Sequence, residues 1–101
     1  MNTAGANTTN VNSTRIEAIK QLLTEALSPE YLEIIDESYQ HAGHAGAKSG
    51  KGHFDAIIVS TAFAGKNPLQ RHRMVYDALG NLMHTDIHAL SIKARTPDEN
   101  Q

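Results

Sequence analysis

Residues 53–76 read HFDAIIVSTAFAGKNPLQRHRMVY, in which a strand, a turn and a capped helix follow one another. Phe54, Ile57, Ile58 and Val59 fall in a short apolar, β-branched run from His53 to Ser60, the composition of a strand. The run gives way to 61–66, a turn or short helical link. Asn67 can then cap a helix whose first position suits Pro68, because the N–H that proline lacks has no intrahelical partner there. Helical spacing from that point places Leu69, His72, Tyr76, Leu79 and Met83 on one stripe, with Val75 and Leu82 beside it, and ends the helix near His84. Ile87 to Ala94 follows as a strand with Leu90, Ile92 and Ala94 on one side. Strand–helix–strand crossovers are overwhelmingly right-handed and join parallel strands, so these two strands are expected to run parallel.

Ser13 or Thr14 can cap an earlier helix, and Ile16, Ile19, Leu23, Ala26 and Leu27 fall on one of its faces until Ser28-Pro29 stops it. Tyr31 to Ser38 is a further strand, expected antiparallel to the one that begins at His53. The result is an α/β domain, a three-stranded mixed sheet with helices packed on one face. The connection from Tyr39 to Gly52 is long and carries four of the seven glycines and two of the six histidines; such a segment is usually functional or disordered. The chain divides into a disordered lead-in over 1–13, one folded domain over 14–97 and a polar tail over 98–101.

Composition sets outer limits. A chain of 101 residues, 40% hydrophobic and 20% charged, is an ordinary single globule, and its apolar runs are far too short to span a bilayer. The lead-in has neither a secretory nor a mitochondrial plan, so no targeting segment is visible. Zero Cys excludes a disulfide framework, a thiolate zinc site, a Cys nucleophile and an iron–sulfur cluster held by the chain's own sulfur. A formal charge of -2 argues against broad nucleic-acid affinity without excluding a local basic patch, and protonating all six His would take it to +4.

Two clusters could carry chemistry. His88 falls, by strand alternation, on the core side with Leu90 and Ile92, half buried where the sheet meets the loops. With one of the loop imidazoles, His41 or His44, it would form a partial nitrogen site; alternatively, it is a polar strand-end residue satisfied by a carbonyl. Two imidazoles cannot close a zinc site, which takes three or four protein ligands. In the second cluster, Lys66, Arg71 and Arg73 surround a turn and helix start, an arrangement suited to phosphate or simply to solvated charge. There His72 is expected to face the core, with Arg71 and Arg73 pointing elsewhere. His53 and His84 read as structural. No acid pair or nucleophile–base set occurs, and Ser60 and Thr61 have no activating base, so the chain is not expected to be an enzyme.

Asp36-Glu37-Ser38, His53-Phe54, Val59-Ser60, Phe63-Ala64-Gly65-Lys66, the run from Leu69 to Tyr76 and Ile87-His88-Ala89-Leu90 resemble the BolA family in order and spacing, over about Arg15 to Pro97. The resemblance implies a class II KH-like αββααβ domain. It also implies a partner of monothiol glutaredoxin that shares a bridging 2Fe-2S cluster in iron–sulfur trafficking and iron homeostasis. Glutaredoxin and its glutathione would supply sulfur and this chain nitrogen, in a Rieske-like environment; alone, the chain would carry no cofactor. By motif position His88 is the family's C-terminal ligand and His41 the loop ligand, with His44 its competitor. The resemblance equally implies a DNA-binding transcriptional regulator of stress response and cell morphology, acting through Gly65, Lys66, Arg71 and Arg73. One glycine stands in this turn where RNA-clamping KH loops have two. The free chain is expected to be a monomer, cytoplasmic in a bacterium and mitochondrial or plastid in a eukaryote.

Overall fold

A computed structural model of the chain describes residues 11–37 and 51–100. The elements are α1 (Val11–Leu27), β1 (Tyr31–Asp36), β2 (Gly52–Val59), a 3-10 turn (Thr61–Phe63), α2 (Pro68–Leu79), α3 (Leu82–Thr85), β3 (Ile87–Arg95) and a last 3-10 turn (Asp98–Asn100). The strand order is β1-β2-β3, antiparallel between the first pair and parallel between the second, as the crossover rule requires. The αββααβ order and the mixed sheet agree with the class II KH-like expectation. His41 and His44 lie outside the described residues.

The sheet is built from rows of paired residues that share a face. Leu32 pairs with Ile58 and that residue with Ala94; Ile34 pairs with Ala56 and that residue with Ile92; Phe54 pairs with Leu90. These rows form the apolar floor on which Ile19, Leu23 and Leu27 of α1 and Val75 and Leu79 of α2 pack. Both long helices therefore cover one face. Their buried residues recur every four positions, the spacing that keeps side chains on one stripe.

Three local expectations shift. Helix α1 reaches back to Val11, into the segment assigned to the lead-in, because neither Pro nor Gly stands there to interrupt it. Gly80, at φ +55, splits what was expected as one helix into α2 and α3; its N–H closes α2 on the Tyr76 carbonyl at 2.9 Å. The α2 stripe also turns: Val75 and Leu79 are buried, whereas Leu69 is 60% exposed and Tyr76 42%. The start of α2 follows the sequence closely. The Asn67 side chain accepts from the Gln70 N–H at 2.8 Å, and the Gln70 side chain accepts from the Asn67 N–H at 2.9 Å, with Pro68 next in line.

Ser60 ties this framework together. Its hydroxyl, 1% exposed, donates to the Leu27 carbonyl at 2.6 Å, joining the end of α1 to the end of β2. The same oxygen accepts from the Ala62 N–H at 3.0 Å and caps the 3-10 turn. Its backbone N–H donates to the Arg95 carbonyl at 2.9 Å. These contacts give the residue a structural role. Ser60→Ala strands a buried carbonyl and an N–H together, so we expect a stability loss of about 1–3 kcal/mol, read as a lowered urea midpoint with unchanged slope.

Candidate functional site

The pairing between β2 and β3 contains one irregularity, and it lies at the candidate site. Gly52 pairs with Ile87, but His53 pairs with Ala89, so His88 is the extra residue of a bulge. Above the bulge, Leu90, Ile92 and Ala94 alternate inward toward the helices. Below it, Ile87 is buried at 2% within the core cluster, whereas His88 and Ala89 are both exposed. The expectation that His88 shares the core side with Leu90 and Ile92 is thus overturned. Uninterrupted alternation would have buried the imidazole and exposed Ile87. Burying an isoleucine side chain is worth roughly 1.5–3 kcal/mol, while a buried imidazole must find partners for its nitrogens, so the extra residue goes outward.

The exposed ring lies against another imidazole. His53, paired to Ala89 across the strands, is 8% exposed, and its ring centroid lies 4.9 Å from that of His88 at an interplanar angle of 52°. Phe54, Ala56 and Ile58 face the helices, so alternation directs His53 to the opposite face of the sheet. That pairing went unread in the sequence, where His53 was only a strand-opening residue. Its odd phase relative to Phe54 was visible in the sequence, whereas its register to β3 was not.

The surroundings hold this corner in place. The Asp86 carbonyl accepts from the Gly52 N–H at 3.0 Å, and the His53 carbonyl accepts from the Glu37 N–H at 2.8 Å, so the ends of all three strands are joined beside His88. Arg15 Nε donates to the Asp86 carboxylate at 2.9 Å and fixes the turn before β3 to the first turns of α1. The Thr85 hydroxyl, chiefly, and the Arg15 guanidinium hold the Asp86 carboxyl below the usual carboxylate range. Among the described residues no group of three or more His, Cys, Asp or Glu could hold a metal ion.

The basic cluster looks different in the fold. Arg71, expected to point away from the core, is the residue drawn inward: it lies four residues before Val75 on the buried stripe, and its side chain is 13% exposed. Its guanidinium donates to the Lys66 carbonyl (2.8 Å), the Ala94 carbonyl (3.0 Å) and both carboxylate oxygens of Glu99 (2.6 and 3.0 Å), with Phe63 5.9 Å beneath it. Arg71 thus staples the start of α2 to β3 and to the last 3-10 turn, which leaves it few donors for a phosphate. Gly65 holds φ +77 in the turn, and Lys66 and Arg73 are exposed. Lys93 and Arg95, exposed on β3 by the same alternation that turns Ile92 and Ala94 inward, join His72 around a cavity of about 230 Å3 beside Pro68. These two cations were missed in the sequence because they are far from the basic turn along the chain.

A family profile described as BolA-like protein matches residues 23–99. BolA-like protein 1 of Homo sapiens is 49% identical over 80 residues, covering 79% of this chain and 56% of the relative. The DNA-binding transcriptional regulator BolA of Escherichia coli strain K12 is 41% identical over 83 residues, covering 82% of this chain and 76% of the relative. The solved BolA domain of SufE1 from Arabidopsis thaliana superposes with a TM-score of 0.75 at 47% identity, over 84% of this chain and 94% of that one. The chain spans little more than half the length of the curated mammalian relatives it matches.

The Arg71–Glu99 pair makes a pH prediction. Arg71, foremost, and the Thr96 N–H pull the Glu99 carboxyl down from an ordinary 4.5 to about 2. A carboxylate depressed on folding contributes stability above its unfolded value and loses it as pH falls through the folded one. Glu99→Gln should therefore lower the thermal midpoint above pH 4.5, with the difference from the native chain shrinking between pH 4.5 and about 2. A difference that stays constant with pH would contradict this.

Proposed function

Because the chain belongs to the BolA family, we propose that it is a non-enzymatic partner of a monothiol glutaredoxin and completes a shared 2Fe-2S cluster, with a role in iron–sulfur trafficking or iron homeostasis. One observation carries the reading: the bulge turns His88 out of the core and exposes its imidazole at the joined ends of the sheet. An exposed neutral imidazole offers a nitrogen donor, and a chain with no Cys has no thiolate to offer in its place. On this reading the remaining ligands of the centre come from a second protein and its glutathione.

Within this reading His88 donates from a rigid position, because Asp86, Gly52 and the Glu37–His53 bond brace the backbone on either side of it. His41 is the proposed second donor and His44 its competitor. Chain length alone tethers His41, four residues beyond Glu37, to within about 14 Å of that residue, whose N–H is bonded beside His88. When bound, the cluster supplies an iron whose reduction potential is raised by nitrogen ligation in place of sulfur. Relatives named for the chloroplast, for chloroplast and mitochondrion, and from a bacterium are consistent with a compartment that follows the host.

A second reading has a surface of its own. Lys66, Arg73, Lys93 and Arg95 are exposed around the start of α2 and along β3, and the E. coli relative is named a DNA-binding regulator. On that reading the bound phosphates lie along this basic flank, with Arg71 shaping it from within. Affinity for duplex DNA would fall steeply with salt, and the slope would flatten when Lys93 and Arg95 are replaced by Ala.

Mixing the apo chain with cluster-loaded monothiol glutaredoxin is expected to change the visible absorption and circular dichroism, and His88→Ala to abolish the change. Spectra equal to the sum of the separate components would refute the proposal.

A further inference from the structure

We infer that His53 is a positioning residue for His88, a buried aromatic wall that holds the exposed imidazole in the orientation from which it donates. The inference rests on the reading of His88 as a nitrogen donor and extends it to a residue which that reading does not use. Three observations carry it. The two rings are in contact, 4.9 Å between centroids and tilted by 52°. Strand pairing aligns His53 with Ala89, immediately after the bulged residue, so the wall and the ring it supports are joined through backbone. Finally, His53 is 8% exposed and both of its ring nitrogens are shielded from solvent.

The burial separates the two roles. A nitrogen that solvent cannot touch is poorly placed to bind a centre held largely by another protein, so His53 is not a ligand of the proposed cluster. A side chain on an exposed bulge, by contrast, has two rotatable bonds and a face open to solvent. A ligand that must present one lone pair along one direction loses affinity when its ring is free to turn, because ordering must then accompany binding. The ring of His53 removes that freedom beforehand. Packing of this kind depends on a flat aromatic surface more than on the nitrogens within it, so phenylalanine should substitute and a branched aliphatic side chain of similar bulk should not.

The test uses the full chain with two substitutions, His53→Leu and His53→Phe. In the apo protein the order of the His88 ring is read from relaxation of its Cδ2–Hδ2 group, with β2 and β3 amide resonances verifying that the sheet is intact. His53→Leu should loosen the His88 ring and His53→Phe should restore it. Titrated with cluster-loaded monothiol glutaredoxin and followed by visible circular dichroism, His53→Leu should need about tenfold more partner for half-saturation, the lower end for residues that orient a ligand, and His53→Phe should stay near the native value. Equal ring order in the native chain and His53→Leu would overturn the inference, as would a His53→Phe ring as loose as that of His53→Leu. The apo measurement involves no cluster, so its outcome stands even if His88→Ala shows that the glutaredoxin reading is wrong.

Discussion

The structure turns on one residue of slippage between β2 and β3. Side chains on a strand alternate with a period of two, so inserting a single residue reverses which face every later or earlier position occupies. Here the insertion is His88, and it lets two apolar segments satisfy the same core. Leu90, Ile92 and Ala94 complete the rows begun by β1 and β2, and Ile87 returns to the interior beneath the helices. The outward imidazole is a consequence of that packing. Hydrophobic burial thereby turns an imidazole outward and keeps it exposed.

Around the bulge, polar contacts fix what apolar packing leaves free. Arg15 and Asp86 join the beginning of α1 to the turn before β3, Ser60 joins the end of α1 to the end of β2, and Arg71 joins α2, β3 and the last turn. Each contact crosses between elements distant in sequence. Together they connect the helical layer to the sheet at both ends of its strands, so the corner carrying His53 and His88 sits on a braced edge. The basic flank lies toward the other end of β3, with Arg71 beneath it as a structural member.

Much of this architecture could be read locally. Asn67 and Pro68 announced the start of α2, Ser28-Pro29 the end of α1, and the crossover rule the parallel pairing, because caps, prolines and handedness act over a few residues. Periodicity was less secure on α2. Leu69 and Tyr76 are apolar but exposed, whereas Arg71 is charged but drawn inward; a long side chain can reach several acceptors only when the fold brings them near. Gly80 was visible in the sequence, yet its left-handed backbone, and with it the division of one helix into two, emerged only in the fold. The loop histidines His41 and His44 belong to a segment outside the described residues.

The order of elements, the Asn67 cap, the mixed sheet and the absence of any thiol were legible in composition and local pattern, because they rest on interactions between near neighbours or on residue identity alone; the start of α1 was not, for the helix runs back past Ser13 and Thr14 to Val11. Which face His88 occupies, and that His53 lies beside it, was decided only by tertiary structure. Strand register is a property of two segments over thirty residues apart. It is settled by the fit of whole rows against the helices, and no window of sequence around either histidine contains that fit.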